Sequence, residues 1–585
     1  MDFHYTSEKN VQIVLALLKE NGIRKVIVSP GATNESLVAS MQYDSYFQMY
    51  SCVDERSAAY MACGMAAESG EPIVLSCTGA TSSRNYMPGL TEAYYRHLPI
   101  LAITSSMDTN KIGHLYPQCT NRNEPPADTV VSSYCIETIK DEDDEWDCTI
   151  KVNNAISDLV YNEGGPVHLN LITRGCMDYS IENLPFVRKV RRIERGMEYP
   201  SLAGKKILLF IGSHKKWTVQ EEQSIDTFCE RYNTVALCDQ TSNYKGKYRF
   251  LSALVATQEK PLDTSLFECD VLIHIGGISG DYYTMNVINA KEVWRIDKDG
   301  RMKDKFKKLT NVFVMKEEDF FNFYNKILVT NSFSNPLHDF LQYNDNLLKH
   351  LPELPFSNIW IASRINKLLP TNSVLHLGIL NTLRAWNFFE IDKNILSYCN
   401  VGGFGIDGAL STMIGASLVD SSKPYYLILG DLAFFYDINS LGNRNIGNNL
   451  RIMVINNGRG VEFHTYKHSA SKFGDDTDKY ISAAWHNGNQ SLTLVKSIAE
   501  SLGYIYLSAS DKNEFEKVYQ KFLMPVSDRS IIFEVFVQKT DDADVLRLIR
   551  TINGTNEGIG SVVKGMAKNI IGEKNVSFIR GILRR

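Results

Sequence analysis

The stretch YYLILGDLAFFYDINSLGNRNIGNNLRIMVINNG at 425–458 decides the fold. It opens and closes on short runs of bulky apolar residues, Tyr425–Leu429 and Leu450–Ile455, with a helix-compatible segment between them. That strand–helix–strand arrangement predicts a parallel βαβ unit. Gly430-Asp431-Leu432 follows the first run and Asn456-Asn457-Gly458 follows the second. Ligands of doubly wound sheets bind at the carboxyl ends of the strands, so a carboxylate and an amide are expected at one edge. Such hard oxygen donors suit Mg²⁺, which takes few protein ligands plus phosphate oxygens and water. The N–H groups of a helix beginning near Ala433 would cradle a diphosphate. Either turn alone is a common strand end; the pairing carries the weight.

The same pattern recurs along the chain. KVIVSPGATNESLVASM (25–41), EPIVLSCTGATSSRNYMPGLTEAYY (71–95) and HLPILAITSS (97–106) each hold an apolar run, most of them leading through a turn into a helix. A charged linker follows GGPVHLNLITR (164–174), and a second block opens at KKILLFIGS (205–213). A polar connector near 330–358 leads to the third block. The expected fold is α/β: three doubly wound parallel-sheet domains at 1–185, 200–330 and 355–540, with a basic amphipathic helical tail at 541–585.

Composition bounds the function. The chain has 585 residues, 44% hydrophobic and 22% charged, a globular mixture that excludes collagen, coiled coil and disorder as whole-chain descriptions. Its 62 Lys+Arg against 67 Asp+Glu give −5, so no general basic field points to nucleic acid. Residues 561–585 carry six bases and one acid, +5, leaving −10 on the rest. The 11 cysteines include no CxxC pair, which speaks against a zinc site and for a reduced compartment. No signal-peptide layout and no apolar stretch of membrane-spanning length are present, so a cytoplasmic location is expected.

Gly430-Asp431-Leu432 and Asn456-Asn457, with 23 residues between Leu432 and Asn456, resemble the signature of thiamine diphosphate (ThDP) enzymes, with Leu432 standing where most members have Gly. VDERSAAYMACGMA (53–66) resembles the glutamate segment of the same superfamily's pyrimidine-binding domain. SPGATNESL (29–37), NVGGFGIDGALST (400–412) and GDLAFFYDINSL (430–441) are similar to segments of the SEPHCHC synthases, the MenD group. The resemblance covers the catalytic edges of both outer blocks; the central block and the tail match in layout only. It implies the order pyrimidine-binding, central and diphosphate-binding domain. ThDP and Mg²⁺ are the implied cofactors, with Asp431, Asn457 and the backbone carbonyl of Arg459 on the metal. Asn381, Thr382, Leu432 and Ala433 would lie near the cofactor. Glu55 would hydrogen-bond the pyrimidine ring, the Phe404 carbonyl would accept from its amino group, and Ile406 would wedge the cofactor into a bent form. An apolar setting for Glu55 would raise its pKa.

The implied activity is decarboxylation of a 2-oxo acid, followed by protonation of the resulting enamine or its carboligation to an aldehyde or ketone. The superfamily builds each site from two chains, which implies a homodimer or homotetramer. On the substrate side the resemblance weakens. Thr33, Val401 and Ser106-Met107-Asp108 stand where the MenD group has arginines, and only Arg384 keeps its counterpart. A less charged acceptor than that group uses is therefore expected. Gln118 matches an active-site glutamine, and His464, in VEFHTYKHS, is a further substrate candidate. Two alternatives stand beside this one. The central GGISG (276–280) could belong to an acetolactate-synthase-like flavin enzyme, and the basic tail could make the chain a non-catalytic scaffold in weak contact with a membrane surface.

Overall fold

The computed structural model describes residues 4–122, 124–259, 264–328, 333–465, 468–484, 491–538 and 541–553. The chain divides into two compact units, Met1–Glu198 with Asp299–Val314, and Tyr199–Lys298 with Met315–Arg585.

The first unit is built on six parallel strands: β1 (Lys25–Val28), β2 (Gln48–Ser51), β3 (Ile73–Thr78), β4 (Ile100–Ser106), β5 (Ser132–Ile136) and β6 (Val167–Ile172). Their order is β2-β1-β3-β4-β6-β5. Every residue of β4 and β6 is buried, as a parallel sheet with helices on both faces requires. Alternation splits the side chains between two cores: Val74, Leu101 and Ile103 join one, while Ile73, Leu75, Ile100 and Ala102 join the other. Each fully buried Val, Leu or Ile contributes about 1.5–3 kcal/mol. A short parallel pair, Arg191–Ile193 with Leu309–Phe313, completes the unit.

The second unit holds two sheets. In one, five parallel strands run in the order Arg249–Leu251, Ala236–Cys238, Ile207–Ile211, Glu268–Ile275, Asn289–Ile296. The other consists of β7 (Val374–Leu377), β8 (Leu396–Tyr398), β9 (Tyr425–Gly430), β10 (Leu450–Asn456), β11 (Ile505–Ala509) and β12 (Ile531–Phe536). Its order, β8-β7-β9-β10-β12-β11, repeats that of the first unit strand for strand. In both, the chain reverses its winding direction between the first and third strands. Ligands bind at the carboxyl ends flanking such a switch point.

The three parallel sheets match the expected α/β fold; two of the expected boundaries shift. Residues 299–314 return to the first unit because Leu309–Phe313 pairs with Arg191–Ile193. The expected tail does not begin at 541. Helix Asp541–Arg550 buries Val545, Leu546, Leu548 and Ile549, and Gln258 Nε2 donates to the Ile549 carbonyl at 2.8 Å. Its apolar stripe is core, since i, i+3, i+4 spacing faces the body of the unit. The remainder of that stretch, 554–585, lies outside the described residues. Among the described residues no helix is long and apolar enough to cross a membrane.

Candidate active site

In the first unit the switch point lies between β1 and β3. Gly31 packs so tightly there that a Cβ would lie 2.7 Å from Thr78 Cβ. Beyond β2, Asp54 caps helix Glu55–Ser69 by accepting from the Ser57 N–H at 3.1 Å. The small residues of this helix permit close packing: a Cβ on Gly89 would sit 2.5 Å from Ala59 Cβ. Helix Met87–Tyr95 is thereby held against it, and Asn85, just before, donates to Glu55 Oε2 at 3.2 Å.

The Glu55 pKa was expected to be raised; it is lowered. Burial pushes it up, but hydrogen bonds from Asn85 and Ser82 to the partly exposed carboxylate outweigh that push. The Thr33 hydroxyl contacts Thr78 Oγ1 and donates to the Ser105 carbonyl at 2.7 Å. It is thus engaged by protein. Gln118 is exposed and held at φ +63°. Asp108 accepts from Arg174 at 3.3 Å, and Ser106 donates to Asn170 Oδ1 at 3.1 Å.

In the second unit the sequence motifs converge. β9 and β10 pair with Gly430 opposite Ile455, so Asp431 and Asn456-Asn457 leave adjacent strand ends. The Gly458 N–H donates to Asp431 Oδ2 at 3.1 Å. Asp431 is only 2% exposed, and burial raises its pKa to about 7 despite hydrogen bonds from backbone amides. Among the described residues no Lys, Arg or His forms an ion pair with it. A buried carboxylate with no cationic partner is costly, and a divalent ion would resolve that cost. Asn457 Oδ1 accepts from the Arg459 N–H at 3.2 Å, and its amide donates to Asp542 Oδ2 at 3.4 Å. The donor set of carboxylate, amide and backbone carbonyl is one that Mg²⁺ accepts. Among the described residues no cluster of three His, Cys, Asp or Glu side chains is placed to bind a softer metal.

Around this edge, Leu380 (φ +66°) precedes helix Asn381–Trp386, and Phe404 (φ +58°) precedes Gly405-Ile406. Bulky residues at positive φ are strained. Thr382 is buried and accepts from Asn358 at 3.2 Å, while Leu432 and Ala433 open helix Asp431–Tyr436. Ile406 packs partly buried on the core beneath. Arg384 is held by Glu462 through two hydrogen bonds, at 2.8 and 3.1 Å, and also donates to Asn381 at 2.7 Å. His464 Nε2 lies 2.9 Å from Asp478 Oδ1, and the same carboxylate accepts from Arg459 at 3.2 Å. Burial and Arg459 lower the His464 pKa, Asp478 notwithstanding.

Three contributors escaped the sequence reading. Asp542 had been assigned to the tail, and Glu462 and Asp478 lie in a polar loop with no motif. Only the acidic run Asp541-Asp542 near an apolar helical stripe gave any signal.

The N-terminal ThDP-binding domain of thiamine pyrophosphate enzymes matches residues 9–124. The 2-succinyl-5-enolpyruvyl-6-hydroxy-3-cyclohexene-1-carboxylate synthase of Bacteroides thetaiotaomicron is 30% identical over 561 residues, covering 93% of this chain and 98% of its own length. The synthase of the same name from Phocaeicola vulgatus is 30% identical over 568 residues, with the same coverage. That from Flavobacterium johnsoniae is 30% identical over 474 residues, 77% of this chain and 84% of its own length. The chain belongs to the MenD family of ThDP enzymes. Its cofactor is ThDP with a divalent metal. The Asp431 edge fits that metal, because it supplies an uncompensated buried carboxylate beside an amide. In the central GGISG turn the backbone packs closely on its own neighbours. The Gly277 N–H donates to the Ser213 carbonyl at 2.7 Å, and a Cβ on Gly212 would lie 2.1 Å from the Gly277 carbonyl oxygen.

Proposed function

We propose that this MenD-family enzyme decarboxylates a 2-oxo acid and ligates the remaining fragment to a carbonyl acceptor that is less anionic than the substrates of its named relatives. Bound ThDP supplies the carbon nucleophile and electron sink for that chemistry. Asp431, Asn457 and the Arg459 carbonyl would hold the metal, with the N–H groups at Leu432 and Ala433 on the same edge for the diphosphate. Asn381 and Thr382 line the same edge. Glu55, ionised and oriented by Asn85, would accept a hydrogen bond from the pyrimidine ring and so control a proton there. Ile406 would support the cofactor, and the Phe404 carbonyl, in a segment at positive φ, would accept from its amino group.

The observation that carries the acceptor preference is the Arg384–Glu462 pair. The relatives are named for a product carrying succinyl, enolpyruvyl and carboxylate groups. Here the one retained arginine is already neutralised by a carboxylate, Val401 is a buried apolar side chain, and Thr33 is tied to backbone. No free guanidinium is left at those positions to hold a polyanion. Gln118 and His464 are the remaining polar candidates on the substrate side.

Self-association is part of the proposal. Helix Glu55–Ser69 and its approach expose Val53 (79%), Tyr60 (49%) and Met61 (43%), an apolar face suited to a second copy of the chain. A panel of 2-oxo acids, 2-oxoglutarate included, assayed for CO₂ release with and without aldehyde, keto-sugar and polycarboxylate acceptors tests the function. Neutral acceptors should accelerate CO₂ release. Acceleration by polycarboxylates alone would refute the assignment.

A further inference from the structure

Beside the switch point of the first unit lies a charge that the proposed chemistry does not use. Arg122 is only 4% exposed. Its Nη2 donates to Asn170 Oδ1, while its Nε and Nη1, both buried, meet no acceptor among the described residues. The seat of the guanidinium is built into the chain. Gly79, directly after β3, lies so close that a Cβ there would be 2.1 Å from Nη1, so only glycine leaves room.

The guanidinium borders a cavity of about 30 Å³, room for one or two water-sized occupants. Arg84 is a second cation on its wall, and Ser83, Thr104 and Thr129 contribute hydroxyls. No Asp or Glu lines it. His168 also borders it, and both its ring nitrogens are engaged, by Thr104 at 2.8 Å and Ser133 at 2.9 Å. The ionisable groups acting most strongly on Arg122 are thiols (Cys77, Cys135, Cys119) and the like-charged Arg84. A buried, permanently charged guanidinium is costly without a counter-charge, and none of the residues lining the cavity is an acid.

We propose that this cavity binds a small monovalent anion, a halide ion or a carboxylate group, held by the free N–H groups of Arg122 with Arg84 as the second cation. The volume excludes a diphosphate or a sugar phosphate. Two arginines, three hydroxyls and the absence of an acid select against cations. A carboxylate would come from an organic acid and a halide from the medium; both use the same donors.

The test uses the full-length protein and bromide as the probe. Anomalous diffraction from bromide-soaked crystals should show a peak against Arg122 Nε or Nη1. The melting temperature at fixed ionic strength should rise when bromide replaces the bulkier isethionate. Arg122→Gln should abolish both effects. Gly79→Ala, which displaces the guanidinium without removing it, should weaken them and guards against misfolding of the first variant. Acetate and pyruvate then separate the two sources: displacement of bromide by either assigns the site to a carboxylate, and failure of both assigns it to halide. A bromide map with no peak at Arg122, together with a melting temperature indifferent to the anion, overturns the proposal.

Discussion

The two six-stranded sheets share one strand order, yet their carboxyl edges hold carboxylates in opposite conditions. Glu55, past the exposed edge strand β2, is partly exposed, and hydrogen bonds keep its pKa below the usual carboxylate range. Asp431, at the switch point between β7 and β9, is buried, and its pKa is raised to about 7. Topology fixes where a ligand can bind. Local burial and donors decide whether a carboxylate there is a proton-handling group or a cation-seeking one. Under the proposed function, one architecture thus yields a catalytic edge and an anchoring edge.

Breaking the catalytic edge should have the largest effect. Glu55→Gln should lower turnover by about 10²–10⁴-fold, the usual range for losing acid–base catalysis, while circular dichroism and melting stay unchanged. On the anchoring edge, Asp542 accepts from both Asn457 and the Asn358 N–H (2.8 Å). Asp542→Ala should weaken Mg²⁺ binding by about 10–100-fold, as removal of a partner behind a metal ligand does, measured by calorimetry in the presence of ThDP. Glu462→Gln would release Arg384. The KM for a dicarboxylic 2-oxo acid should then fall about tenfold, the worth of one charge-assisted contact, with little change for pyruvate.

The smallest effect concerns stability in the first unit. His168 is buried and neutral; burial, with Arg122 and Arg84 behind it, lowers its pKa to about 3. In the unfolded chain it titrates near 6.5, so below that pH the unfolded state binds the extra proton. Its contribution is complete above about pH 6.5 and is lost as pH falls toward 3. By pH 5 about 2 kcal/mol should be gone. The urea midpoint of His168→Gln should be flatter over this range than that of the wild type.

What the sequence disclosed follows from range. Asp431 and Asn457 were legible because each closes an apolar strand, and parallel pairing of β9 with β10 brings them together. Glu55 was legible from the small-residue helix it opens. The Glu55 pKa was not, since its controlling partner Asn85 sits thirty residues on and is positioned by the Gly89–Ala59 packing. Arg384 looked like a free substrate ligand until Glu462 proved to hold it. Asp542 fell outside the expected third block because that block's last apolar strand ends just before it, and nothing local shows that helix Asp541–Arg550 packs back on the core.

The central claim, that anchoring and catalysis reside on different edges, is tested most directly by one calorimetric series. ThDP is titrated in Mg²⁺ into wild type, Asp431→Asn and Glu55→Gln. Wild type and Glu55→Gln should bind with affinities of the same order, and Asp431→Asn should show no heat of binding. Wild-type affinity in Asp431→Asn would contradict the account.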